Sequence, residues 1–215
     1  MNDQSNFKNR ILSRINRPKI DFGDARVFAS SSFEERYNSY INYVLSFAQR
    51  EGIWLEFGVS SGETTKKYVD FMHESQKPLY GFDSFFGLPE KWAKHDVGKF
   101  SMDGQIPKVK GAEMIVGLFE DSLPGFVKDK ISNIAVLIVD CDLYSSTKTI
   151  FDYVKDYLVE GTIIIFDEIH NGSGIYKQWA KHEYRAFNEL IIEKNLNYKS
   201  ISAYCSSSSP FIRKG

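Results

Sequence analysis

Ile53–Glu63, IWLEFGVSSGE, is the stretch from which the fold is read. Ile53–Phe57 is apolar except for Glu56 and reads as a short buried strand. Gly58 breaks it into a loop of small residues, and a helical period starts after Gly62. Strand, glycine turn and helix start together form the ligand edge of an α/β sheet, because such ligands sit beyond the carboxyl ends of the strands. The turn also limits the ligand. A dinucleotide fingerprint counted from Gly58 would need glycines where Ser60 and Glu63 stand. Ser60 adds a side chain where the backbone must approach a pyrophosphate, and Glu63 adds a carboxylate where that pyrophosphate would lie. No GK[ST] follows, so a P-loop is absent as well.

Outward from this turn, Leu79–Asp83, Ala112–Val116, Ile134–Asp140 and Thr162–Asp167 read as further strands, with two more between Tyr198 and Arg213 around a serine-rich turn. IAVLIVD and TIIIFD are nearly continuous apolar runs, as expected of parallel strands covered on both faces. Helical spacing of three and four appears in Phe33–Arg50, from Thr65 to Met72, in Thr147–Leu158 with Gly161 as its expected C-cap, and in Trp179–Lys194. The order predicts an α/β fold: a Rossmann-like, doubly wound, mostly parallel sheet with an antiparallel C-terminal strand. Residues 33–215 read as one domain carrying a lid-like insertion at 85–111, anchored by Trp92 and Phe100. Residues 1–32 read as a partly flexible arm.

With 27 basic and 28 acidic side chains in 215 residues, the net charge of −1 provides no global field for nucleic acid or an anionic membrane. A small-molecule partner fits better, and a homo-oligomer stays open. Cys141 and Cys205 form no disulfide framework, and no apolar run resembles a signal peptide or a membrane span, so a cytoplasmic location is expected.

A ligand without phosphate and with a positive centre suits the turn, and S-adenosyl-L-methionine is one. Glu56 is placed to face its positive end, Asp83 to accept the ribose hydroxyls, and Asp121 to accept the adenine amino group. Any one of these acids is equally a solvated loop residue, so the weight lies in their recurrence after three successive strands.

EFGVSSGETT, YGFDSFFGLPEKW, GLFEDSLP, VDCDLYSST and GTIIIFDE, in that order, resemble the class I S-adenosylmethionine-dependent methyltransferases, and most closely the branch around macrocin O-methyltransferase (TylF-like). The resemblance implies the class I methyltransferase fold and cofactor contacts at Glu56, Gly58, Gly62, Asp83, Ser84 and Asp121. The adjoining Phe57, Ser60 and Phe85 complete the candidate cofactor set.

Asp140 and Asp167-Glu168 end two apolar strands expected to be neighbours. Carboxylates gathered there repel unless a cation or a proton sits among them, and oxygen ligands suit Mg²⁺. The interval resembles that between metal ligands in Mg²⁺-dependent O-methyltransferases, which implies Asp140, Asp167 and Glu168 as ligands; a purely structural acidic cluster is the alternative. Two departures stand out. Glu168 replaces the usual Asp or Asn, and Leu143 stands where the catechol enzymes carry a lysine. Asp142 is a ligand, a base or a loop cap, and Asp140, Asp142, His95 and His170 form the candidate catalytic set. Cys141 reads as a space-filling residue. The expected activity is methyl transfer from S-adenosyl-L-methionine to a hydroxyl of a small sugar-bearing or polyol metabolite, with divalent metal assistance. A cofactor-binding module without catalysis is the alternative, and an NAD-dependent sugar-modifying oxidoreductase is disfavoured by Ser60 and Glu63.

Overall fold

Side chains that alternate between two faces of one sheet organise the molecule. A computed structural model describes residues 20–21, 26–27, 32–49, 51–72, 78–169, 177–203 and 209–214. In β3 (Ile53–Phe57), Ile53, Leu55 and Phe57 enter one apolar layer while Trp54 enters the other; β1 (Ile20–Asp21) and β2 (Arg26–Val27) precede it. The same split recurs in β6 (Ile134–Val139), where Leu137 and Val139 oppose Val136 and Ile138. It recurs again in β7 (Leu158–Phe166), where Ile164 and Phe166 oppose Ile163 and Ile165. Both faces of these strands are therefore apolar and both need helical cover.

One face is covered by α1 (Phe33–Leu45) and α2 (Glu63–Val69), through Tyr40, Ile41, Val44 and Tyr68. The other packs under α3 (Phe119–Asp129), α4 (Tyr144–Val154) and α5 (Glu183–Lys194), through Leu123, Phe126, Ile150, Phe151, Phe187 and Leu190. With β4 (Leu79–Asp83), β5 (Ala112–Val116), β8 (Asn197–Ser200), β9 (Ser202–Ala203) and β10 (Ser209–Lys214), the main sheet has eight strands in the order β1-β8-β10-β7-β6-β3-β4-β5. β10 runs antiparallel to both of its neighbours, and the remaining pairings are parallel. This is the doubly wound sheet with an antiparallel C-terminal strand. The order in which strands are added to the sheet reverses between β3 and β6, so their carboxyl ends flank the switch point where ligands bind.

Several local expectations are corrected. Gly161 does not cap a helix: α4 ends at Val154, passes through a short 3₁₀ turn at Lys155–Tyr157, and Gly161 lies inside β7 with φ +87°. The Gln49 amide reaches the Glu160 carbonyl there at 2.7 Å, and a Cβ on Gly161 would sit 2.0 Å from the Gln49 nitrogen. α3 has no readable helical period in the sequence because Pro124 and Gly125 interrupt it; Leu123 and Phe126 nevertheless reach the core. Inside the stretch read as an arm, β1 pairs with β8 and β2 pairs with β9. The basic and apolar positions before residue 20 lie outside the described residues. Among the described residues no helix is long and apolar enough to cross a membrane.

Candidate active site

The turn after β3 is shaped by how closely β3 and β6 approach. A Cβ on Gly58 would lie 1.8 Å from the Asp140 carbonyl oxygen, so no side chain fits there. Gly58, Ser60 and Gly62 all take left-handed backbone, with φ values of +93°, +48° and +77°. Glycine adopts such angles at little cost and serine does so rarely, so Ser60 is held by its surroundings. What holds it is Asp83. Asp83 Oδ2 accepts from the backbone N–H of Val59 at 2.9 Å and of Ser60 at 2.8 Å, while Oδ1 accepts from Phe85 N–H at 2.7 Å. The acid at the end of β4 thus pins two loops and still lines the cavity between them.

Glu56 is fully buried beneath this turn. Its Oε1 accepts from the Thr64 hydroxyl at 2.9 Å, and its Oε2 has no hydrogen-bond partner. Burial pushes its carboxyl up to about 7, partly opposed by the nearby hydroxyls of Thr65 and Thr64. An unsatisfied buried oxygen under a ligand turn suits a cofactor with a positive end.

The cavity at the switch point has a volume of about 450 Å³. Gly58, Ser60, Asp83 and Ser84 form one side, and Asp140, Asp142, Asp167 and Glu168 form another. The other candidate cofactor residues lie off its wall. Phe57 points into the core and stacks on Phe82 with ring centroids 4.6 Å apart, as its place in the strand alternation requires. Phe85 is fully buried, and Gly62 packs against Pro107 and Val109. Asp121 is exposed on the first turn of α3, where consecutive side chains diverge; its neighbour Glu120 lines the cavity instead.

The acidic side is crowded. The Asp140 carboxyl is held well above the usual range, first by burial and then by Asp167 and Asp142. Burial and Asp167 push Asp142 up to about 7; burial, Asp142 and Asp167 push Glu168 up to about 8. Asp142 has φ +64° in a tight turn closed by the Leu143 N–H donating to the Cys141 carbonyl at 2.6 Å, a strained conformation of the kind found at functional sites. Glu168 Oε2 is buried without a hydrogen-bond partner. An all-oxygen set with mutual repulsion has the donor chemistry of a hard divalent cation site. Among the described residues, however, no three His, Cys, Asp or Glu side chains are gathered closely enough to hold an ion.

The insertion at 85–111 folds over this side without helix or long strand. Leu88 and Lys99 are joined at 2.9 Å, Gly98 and Leu88 at 2.9 Å, and the Phe85 carbonyl accepts from Met102 and Gly104. Trp92, Leu88 and Leu143 form a small buried cluster of their own. Leu143, which breaks the catechol-type pattern, is therefore the floor on which the insertion rests. His95 lines the cavity and stacks on Trp92 at 5.3 Å, and Phe100 lies 5.5 Å beyond it. His170 lies outside the described residues. Cys141 is buried on the cavity wall, with its thiol pushed up by burial, in keeping with a space-filling role.

Sequence reasoning missed Glu183. It lies in the first turn of α5, where an acid normally means a solvated residue favoured by the helix dipole. Here it is 1% exposed, and its two oxygens accept from the N–H groups of Cys141 and Glu168. Its partner Cys141 is far away in the chain, so no local pattern announces it.

A family model described as a methyltransferase domain matches residues 55–169, more than half of the chain. Among curated proteins none matches. Among solved structures, the calicheamicin methyltransferase CalS11 is similar at 16% identity and a TM-score of 0.64, over 100% of this chain and 94% of that one. The O-methyltransferase NovP is similar at 18% identity and a TM-score of 0.60, over 84% and 79% of the two chains. The O-methyltransferase TomG from Streptomyces achromogenes, solved with S-adenosyl-L-methionine, gives 13% identity and a TM-score of 0.56, over 86% and 82%. At these identities the structures speak for the fold, and the family model speaks for the kind of domain. The chain belongs to the methyltransferase-domain family and is an S-adenosyl-L-methionine-dependent methyltransferase of the class I fold.

Proposed function

We propose that this enzyme methylates a hydroxyl of a small sugar-bearing or polyol acceptor, with a divalent cation as the partner that would draw Asp140, Asp167 and Glu168 together. The observation that carries this reading is the two-sided cavity: the strained glycine turn on one side and crowded carboxylates on the other, around a single space of about 450 Å³. That volume is within the usual range for small-molecule sites.

When bound, the cofactor supplies an electrophilic methyl group on a sulfonium. Held at Gly58, Ser60, Asp83 and Ser84, it would give that methyl to the acceptor oxygen and keep the electron pair of the carbon–sulfur bond on sulfur. The hydroxyl proton has to go to the chain. Asp142, presented by its tight turn, is the candidate to take it, with His95 of the insertion as the second. Asp83 does donor-side work by keeping the turn in shape, and Glu56 braces the start of the following helix from below through the Thr64 hydroxyl. A divalent cation would supply a lower hydroxyl pKa and a fixed oxygen position. The insertion excludes water through Trp92, and holding the two reactants in line contributes much of the acceleration.

The test is incubation with methyl-labelled cofactor, Mg²⁺ and a pool of polyols and glycosides, with and without EDTA. Label in an O-methyl product that falls in EDTA supports the reading. Transfer unaffected by EDTA removes the metal from it. Bound cofactor with no transfer under any condition favours a binding module instead.

A further inference from the structure

We infer that Glu183 is a positioning residue that sets the distance between the two acidic loops of the acceptor side. This rests on the acceptor-side reading above, although its test does not depend on knowing the acceptor.

β6 and β7 are held in register by their ladder as far as Val139 and Phe166, and one further bond runs from Asp167 N–H to the Val139 carbonyl at 3.1 Å. Beyond that point the two loops diverge and no longer pair with each other. Glu183 continues the link. Its Oε1 accepts from Cys141 N–H at 3.4 Å and its Oε2 from Glu168 N–H at 3.3 Å. The first amide lies between Asp140 and Asp142, and the second joins Asp167 to Glu168. One carboxylate thus grips the peptide groups beside every acid proposed for acceptor chemistry.

This arrangement is unfavourable for the fold alone. Glu183 is 1% exposed, so its carboxyl exchanges water for two long backbone hydrogen bonds of 3.4 and 3.3 Å. A core-filling role would be served better by an apolar or neutral side chain of similar size. Meeting two separate backbone donors with one oxygen each needs two acceptor oxygens on one rigid plane, which among side chains only a carboxylate supplies. The preceding residue extends the link: the His182 ring meets Trp92 edge-on at 6.5 Å. The first turn of α5 therefore touches the insertion as well as both acidic loops.

Glu183→Gln distinguishes positioning from packing. It keeps shape and volume and replaces a buried carboxyl with a neutral amide, but its amide nitrogen faces one of the two N–H groups and cannot accept from it. The full chain carrying Cys205→Ser, with Cys141 as a thiol reporter, is compared with its Glu183→Gln and Glu183→Ala forms. For Glu183→Gln, thermal stability is expected to be equal or higher and S-adenosylhomocysteine affinity unchanged. Amide exchange at Cys141 or Glu168 should quicken by about tenfold or more while core strands keep their protection. Alkylation of Cys141 should quicken in parallel. With the polyol and glycoside pool, label transfer should fall by about 10- to 100-fold, the scale of losing an outer-shell partner, with KM for the cofactor unchanged. Unchanged exchange at both amides in a folded Glu183→Gln or Glu183→Ala protein overturns the inference. A uniform rise in exchange over the whole sheet also overturns it, since Glu183 would then be only a stability residue. An absence of label transfer in the parent protein counts against the proposed function and leaves the exchange and alkylation results to decide the role of Glu183.

Discussion

The two sides of the cavity are built by different means. On the donor side the backbone does the shaping: Gly58 lets two strand ends nearly touch, Asp83 satisfies three N–H groups, and the turn is fixed before any ligand arrives. On the acceptor side Asp140, Asp142 and Glu168 crowd one another, each with its carboxyl raised. A wall of satisfied backbone bonds makes a rigid seat, whereas a wall of crowded carboxylates awaits a positive or proton-donating partner. Donor-side changes should therefore act on stability and cofactor affinity together, and acceptor-side changes on transfer alone.

The largest effect is expected at Gly58. Gly58→Ala forces a methyl group into the Asp140 carbonyl and should cost more than about 4 kcal/mol, the range of severe steric lesions. Urea unfolding measures it, and a near-neutral result would break the claim that strand approach builds the turn.

Next comes Glu56, where pH decides the sign. Its carboxyl rises from 4.5 to about 7 on folding, so the native state holds the proton more tightly than the unfolded chain. Its contribution is fully present below pH 4.5 and is lost as pH rises through 7. Glu56→Gln has no such loss. It should be more stable than the parent protein by about 3 kcal/mol at pH 8 and no more stable at pH 4. A difference that does not change with pH contradicts the burial argument.

Asp83→Asn leaves one acceptor oxygen for three donors. It should lose about 1.5–3 kcal/mol, the range for hydrogen bonds to a charged group, and weaken S-adenosylhomocysteine binding in calorimetric titration. The smallest effect is a control within the same molecule. Gly125 lies in α3 with open space where a Cβ would go, so Gly125→Ala should stabilise by about 0.5–1 kcal/mol. Opposite signs at Gly58 and Gly125 would separate a required glycine from an incidental one.

The donor side was largely legible in the sequence because its signals are local. Apolar runs marked β3, β6 and β7, and the glycines sat where the backbone had to turn left-handed. Legibility failed where a residue answers to a distant one. Gly161 looked like a helix cap because nothing nearby reveals the Gln49 amide that occupies its Cβ space. Leu143 looked like a lost lysine, although it is the floor beneath Trp92 and Leu88. Asp121 is read at a strand end by counting, and a strand-end count cannot tell that the new helix turns the adjacent Glu120 toward the cavity. Glu183 was invisible because its partners are loop amides brought close only by the folded sheet.

The division of labour between the two sides is tested most directly by Asp140→Asn and Asp167→Asn, each measured twice: S-adenosylhomocysteine affinity by calorimetry, and methyl-label transfer to the polyol and glycoside pool. The account predicts parent-like cofactor affinity with transfer abolished in both variants. Transfer at the parent rate, or loss of cofactor affinity along with it, would contradict it.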